Sequence, residues 1–89
     1  MNQTAKLKDF YGHQVSATVK MPNQSCEVYT HGILKYNDEN HSIEIVNHDT
    51  GKVNFYMSIY DIIYNSNSFK VSNNYINIHT YLYDVEIEK

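Results

Sequence analysis

The first two thirds of the chain alternates apolar and polar residues with a period of two. In residues 14–21, for example, apolar side chains alternate with Ser16, Thr18 and Lys20. This period places every second side chain on the same face of a pleated strand. Polar turns separate the alternating segments, which indicates half-buried antiparallel strands. The strands predicted in this way are residues 14–21, 26–36, 42–47 and 53–59.

The N-terminal residues depart from this pattern. Leu7, Phe10 and Tyr11 have helical spacing, Thr4 is a candidate N-cap, and Gly12 suits a left-handed helix end. The pattern therefore predicts one short helix over residues 4–11.

A glycine in the middle of the second strand indicates that the sheet bends. Gly32 interrupts residues 26–36, and an isolated glycine in a strand commonly marks a bulge or a sharp bend. After a tight turn near residues 58–61, the apolar residues 62–64 predict a fifth strand. Residues 14–64 are thus expected to form a five-strand block curled into a small barrel.

The C-terminal residues 69–89 predict a β-hairpin. With Asn73-Asn74 as a two-residue type I′ loop, Phe69 pairs with Ile78 and the apolar side chains share one face. The alternation then continues over residues 75–83, and a bulge near Tyr83-Asp84 would reverse its parity. Residues 84–89 alternate acidic and aliphatic side chains, which predicts an edge strand. The whole chain, residues 1–89, is predicted to be a single domain.

The composition supports a mainly β fold. Ile and Val number 9 and 7, Leu and Ala only 3 and 2, and there are 9 Tyr. β-branched and aromatic residues favour strands, whereas Ala and Leu favour helices. A domain of 89 residues buries only about 60 to 65% of its unfolded surface. Self-association into a homo-oligomer would add stability, so another copy of the chain is one of the partners that we consider.

The charged residues, the apolar runs and the single cysteine make several classes of function less favoured. The basic residues are 7 Lys with no Arg, against 10 acidic residues, for a net charge of −3. Arginine provides the paired donors that read guanine edges in DNA, so its absence disfavours sequence-specific DNA binding. No apolar run approaches the roughly 18 residues that span a bilayer, so no membrane role is expected. The single cysteine and the absence of a secretory signal predict a cytoplasmic protein.

Four segments of the chain form one pattern: Leu7-x4-Gly12, Val15-x-Ala17-x-Val19, Gly32-Ile33-Leu34-Lys35-Tyr36-Asn37-Asp38 and Ile43-x-Ile45. Together they resemble the first motif of Sm and LSm proteins, which are small bent barrels behind a short helix. This resemblance implies an oligomeric ring that binds RNA. The stretch from Gly32 to Ile63 has a weaker resemblance to the YolD-like proteins of Gram-positive bacteria and phages, which are associated with the DNA-damage response.

The most prominent candidate site is a run of tyrosines near the C-terminus. Tyrosine offers a large contact area and a polar tip at little side-chain entropy cost, so recognition surfaces are rich in it. The alternative interpretation is a second core face, closed by the N-terminal helix or by another subunit. The predicted protein-binding residues are Tyr75, Asn77, His79, Tyr81 and Tyr83, with Tyr29 and Tyr60 as further outward aromatics.

A second candidate site follows from the Sm resemblance. Asp38 stands at the family's Asp position, and Tyr36, Asp38 and Ser42 would bind RNA or a small nucleotide in an LSm-like ring. The five histidines lack metal-ligand spacing, and no nucleophile, paired carboxylates or glycine-rich loop is evident. We therefore expect no metal, no cofactor and no enzymatic activity.

The functional hypothesis from sequence is a protein-binding module. The Lys-only basic content and the abundance of Asn, Ile and Tyr suggest an AT-rich Gram-positive genome or its phage. In that context, we expect an accessory protein that inhibits or modulates a host protein, such as a defence nuclease.

Overall fold

A computed structural model describes residues 6–21 and 26–89 of the chain. These residues form seven strands, a 3₁₀ helix and one short α-helix. The elements in chain order are the 3₁₀ helix Lys8–Phe10, β1 Gln14–Met21, β2 Cys26–Asn37, β3 Ser42–Val46, β4 Val53–Ser58, α1 Ile59–Tyr64, β5 Ser66–Val71, β6 Tyr75–Thr80 and β7 Asp84–Glu88.

All seven strands join one antiparallel sheet in the order β4-β3-β2-β1-β7-β6-β5. Strands β4 and β5 are the two edges, and α1 connects them in sequence and contacts both. The predicted mainly β class is confirmed, and the sheet is consistent with a small barrel-like fold. None of the helices in the described ranges has the length and apolar run that crossing a bilayer requires.

The core lies on the inner face of this sheet. Alternate residues of β1, β6 and β7 point inward, as the period of two predicts, and Ile76, Ile78 and Ile87 are fully buried. Leu7 and Phe10 of the N-terminal helical segment join the same cluster. The Cα radius of gyration is 12.3 Å, close to the roughly 12 Å expected for one compact domain of this length.

Gly32 allows β2 to approach β3 at the predicted bend. A Cβ atom at this position would overlap the backbone carbonyl of Val46. Since a backbone atom cannot rotate away as a side chain can, only glycine fits here.

The structure tests two of the local features predicted for the N-terminal part, the short helix and the left-handed glycine that follows it. The helix covers residues 6–10, shorter than the predicted 4–11, and residues 4 and 5 lie outside the described ranges. Gly12 has a φ of 85°, the left-handed conformation predicted for it. The predicted turn at residues 22–25 also lies outside the described ranges.

The predicted fifth strand at residues 62–64 is wrong, because these residues belong to α1. The Ser58 side chain accepts a hydrogen bond from the Tyr60 amide at 3.1 Å and caps the helix. Ile62 then points into the core while Ile63 is exposed. Residues 14–64 therefore contain four strands and a helix.

The C-terminal hairpin is confirmed and extended by a third strand. Phe69 pairs with Ile78 and Val71 with Ile76, as predicted. The type I′ turn is wrong, however: it needs positive φ at Asn73 and Asn74, and His41 is the one non-glycine residue in the described ranges with positive φ.

The chain also reverses between β6 and β7, where a bulge was expected. Thr80 and Tyr83 close a tight turn through a hydrogen bond from the Thr80 amide to the Tyr83 carbonyl, at 2.9 Å. This turn explains the reversed parity after Tyr83. It also makes β7 a central strand, paired with both β1 and β6, so the predicted edge strand is wrong.

Candidate binding surface around helix α1

The structure divides the predicted tyrosine stripe into two places. Tyr75, Asn77 and His79 lie on the outer face of β6. The residues that alternate with them are buried on the inner face. Tyr81 stands in the β6–β7 turn, and Tyr83 is half-buried against the core. The alternation over residues 75–83 therefore does not describe one continuous face.

The outer face of β6 belongs to a polar sheet surface that also includes Tyr29. The strand register places Tyr29, Thr18, Glu86 and Asn77 side by side across four strands. The Tyr29 hydroxyl donates to the Glu27 carboxylate at 2.5 Å, and this hydrogen bond raises the pKa of the phenol. Charged and polar side chains thus separate the tyrosines of this face, so they do not form an apolar patch.

Exposed apolar side chains concentrate instead around α1 and the β6–β7 turn. These two segments supply half of the ten large apolar side chains that are exposed in the described ranges, with exposed fractions between 46% and 86%. Asp61 of α1 lines one surface cleft together with Tyr81 and Leu82 of the turn, which shows that the two segments are neighbours. We call this group the α1 surface: Tyr60, Ile63, Tyr64, Tyr81 and Leu82.

A row of aromatic rings extends the α1 surface towards the N-terminal helical segment. Tyr60 and Tyr64 stack with centroids 6.0 Å apart, and the His41 ring meets Tyr60 edge-on at 6.3 Å. The Tyr36 hydroxyl lies 3.1 Å from Nδ1 of His41, and Tyr36 stacks on Tyr11 at 5.9 Å. Contacts of this kind restrict the rings and lower the entropy lost when a ligand binds.

The cleft beside α1 has a volume of about 350 Å³. Asp61 and Asn65 line its helix side, and Tyr81, Leu82 and Tyr83 line the opposite side. Burial, and to a smaller extent the negative charge of Asp61, raise the pKa of the Tyr83 phenol. Tyr83 is thus half-buried beside the cleft, and the Asp61 carboxylate lines the same cleft.

The three residues of the predicted nucleotide site do not form one accessible site. Ser42 is only 2% exposed, and its hydroxyl has no hydrogen-bond partner in residues 6–21 and 26–89. Asp38 is exposed in the β2–β3 turn, while Tyr36 is half-buried in the aromatic row. A ligand at Tyr36 would therefore meet Tyr11 and Lys8, which line the adjacent cleft, rather than Ser42.

No group of three or more His, Cys, Asp or Glu side chains in residues 6–21 and 26–89 is placed to hold a metal ion. The two ion pairs in these ranges, Lys20 with Glu27 and His79 with Asp84, both lie on the outer sheet face.

Sequence reasoning identified Tyr60 and Tyr81 but missed Ile63, Tyr64 and Leu82 because it placed them in strands. One signal was present: Ser58 stands three residues before Asp61, the spacing typical of a helix N-terminus. The β6–β7 turn offered no comparable signal, since no Gly, Pro, Asn or Asp occupies its centre.

Comparisons of the chain with protein-family models, with curated proteins and with solved structures find no match. The resemblances to Sm and YolD-like proteins therefore stay hypotheses, and the functional argument depends on the surface itself.

Proposed function

We propose that this protein is a non-enzymatic binding module that docks onto a partner protein through the α1 surface. The observation that carries the proposal is the concentration of exposed aromatic and aliphatic side chains on one short helix and the neighbouring turn. Contiguous exposed apolar patches typically mark interaction sites. Covering exposed tyrosine and leucine side chains with a partner removes apolar surface from water and so makes the free energy of binding more favourable.

The backbone that carries these exposed side chains is held in place on both sides of the cleft, which strengthens this interpretation. The Thr80 hydroxyl accepts hydrogen bonds from the Leu82 and Tyr83 amides at 3.2 and 3.1 Å. On the other side of the cleft, Ile62 anchors α1 in the core. Exposed side chains on fixed backbone lose less entropy on binding than those on a mobile loop.

The proposal keeps two of the residues predicted from sequence, Tyr60 and Tyr81, and moves the centre of the site away from the outer face of β6. The narrower hypothesis, that the partner is a host defence protein inhibited by a phage-encoded protein, stays a prediction. The YolD-like role in the DNA-damage response also stays a prediction.

One observation favours a second candidate function, the binding of a nucleotide or single-stranded RNA. Tyr11 and Tyr36 stack beside Lys8 at a cleft of about 270 Å³. Aromatic rings next to a lysine can stack a base and attract its phosphate. This candidate ranks second, because a lysine-only chain with a net charge of −3 provides little long-range attraction for nucleic acid.

The test compares two double variants in capture from a bacterial lysate, followed by calorimetry with the purified partner. Tyr60→Ser with Tyr64→Ser changes the α1 surface, whereas Tyr29→Ser with Tyr56→Ser changes two equally exposed tyrosines on strands. We expect at least about tenfold weaker binding for the first variant, since buried aromatic anchors dominate interfaces. The control variant should bind like the unmodified protein.

Two outcomes would contradict the proposal. Equal binding by both variants would show that the α1 surface is not the docking site. Purification with excess absorbance at 260 nm, lost on Tyr11→Ser with Tyr36→Ser, would favour the nucleotide function instead.

A further inference from the structure

The carboxylate of Asp61 lines the cleft beside α1 and has no cationic partner among the residues that the structure describes. Asp61 is half-buried, and neither ion pair in residues 6–21 and 26–89 involves it. A carboxylate that is partly removed from water and lacks a counter-ion interacts strongly with a cation that enters the site.

The position of this carboxylate is fixed by the helix end. The Asn65 side chain donates through Nδ2 to Oδ1 of Asp61 at 2.8 Å, and the Asn65 amide bonds the Asp61 backbone carbonyl at 3.1 Å. The hydrogen bond engages one carboxylate oxygen and orients the group. Within the described ranges, no hydrogen bond engages the other oxygen, Oδ2, which can therefore accept from a ligand.

The wall opposite Asp61 is aromatic and aliphatic. Leu82 and the rings of Tyr81 and Tyr83 line it. The Thr80 hydroxyl holds the turn, and it also donates to the Tyr83 carbonyl at 3.0 Å. The raised pKa of the Tyr83 phenol reports burial and the nearby negative charge. A ligand group here needs an apolar stem and a positively charged end.

We propose that this cleft receives an arginine side chain of the partner protein, an inference that depends on the docking function proposed above. The guanidinium group donates to the Asp61 carboxylate, and its planar face stacks on a tyrosine ring, while the aliphatic stem covers Leu82. Planar stacking combined with directed donation to a carboxylate is the chemistry that distinguishes arginine from lysine.

Two exposed carboxylates fit this role less well. Glu86 and Glu88 lie on the outer face of β7 and, with Tyr75 and Asn77, line a smaller cleft of about 240 Å³. Both are exposed to water, so screening weakens their attraction for a cation.

The inference can be tested without knowing the partner. The full chain, labelled with ¹⁵N, is titrated with N-acetyl-arginine amide, and the amide chemical shifts are followed by NMR. We expect saturable shifts centred on Asp61, Asn65 and residues 81–83. The neutral probe N-acetyl-norleucine amide keeps an apolar stem without the charge, and it should produce little change there.

The matched variant is Asp61→Asn, which removes the charge and keeps an oxygen that can accept from Asn65. We expect it to bind the arginine probe about tenfold more weakly, since hydrogen bonds to charged groups are among the stronger ones. Glu86→Gln should leave the titration unchanged.

Equal responses to the arginine and norleucine probes, equal responses to arginine and N-acetyl-lysine amide, or shifts centred on Glu86 would each overturn the assignment. A different result would show that the docking function, rather than the arginine site, is wrong. If the Tyr60→Ser and Tyr64→Ser variant still captures its partner while the arginine response depends on Asp61, the docking proposal is wrong and the cleft remains an arginine site.

Discussion

The orientation of α1 predicts opposite effects for two adjacent isoleucines. Ile62 is 1% exposed and belongs to the core, while Ile63 is 46% exposed. Replacing each with alanine makes the same chemical change on the same helix. Ile62→Ala should therefore destabilise the fold, and Ile63→Ala should have little effect on stability.

The expected magnitude follows from burial. Ile62→Ala removes three buried carbon groups, worth about 0.8 kcal/mol each, and leaves a cavity that adds to the loss. Alanine returns a few tenths of a kcal/mol through its higher helix propensity. The net loss is about 2 to 4 kcal/mol, out of a total stability of roughly 4 to 13 kcal/mol for a domain of this size. Ile63→Ala should change stability by less than about 1 kcal/mol.

Urea denaturation followed by circular dichroism measures both variants. Ile62→Ala should lower the midpoint at an unchanged slope, which indicates a loss of stability rather than a different unfolded state. Its thermal midpoint should fall by roughly 10 to 25 °C. Equal losses for the two variants, or a larger loss for Ile63→Ala, would refute the orientation of α1. Ile63→Ala should also weaken partner binding if the α1 surface is the docking site.

Two further predictions concern the bend and the cleft. Gly32→Ala should lower the unfolding free energy by at least about 2 kcal/mol in the same assay, because its Cβ overlaps the Val46 carbonyl; an unchanged midpoint would contradict this close approach. The raised pKa of Tyr83 means that the native state holds this proton more tightly, so stability should fall as pH rises above about 10. Tyr83→Phe should reduce that alkaline loss in urea titrations between pH 9 and 11, and an identical loss would exclude the linkage.

The strands were predictable because the core constrains every second residue. In β1, the inner residues are buried and apolar while the outer residues meet water, so the alternation reports the fold directly. The pairing of Phe69 with Ile78 followed from the same constraint. The type of turn at Asn73-Asn74 did not, because asparagine accepts more than one turn conformation.

The missed elements have identifiable physical reasons. A helix of six residues, such as α1, contains fewer than two turns and cannot display a clear helical period. The β6–β7 turn is held by the Thr80 side chain, so it needs no glycine or proline. The position of β7 was missed because its outer glutamates are solvated whether the strand is central or at an edge.

Two of the missed elements, α1 and the β6–β7 turn, lie together, and the sheet explains why α1 departs from the strand pattern. The sheet leaves β4 and β5 as its two edges, and α1 is the segment that connects them. There the backbone follows no strand period, and only Ile62 of α1 is fully buried in the core. Ile59 packs partly against the core, whereas Tyr60, Ile63 and Tyr64 are exposed. The core does not require these three exposed side chains to be apolar, which is the reason to seek an explanation in a partner.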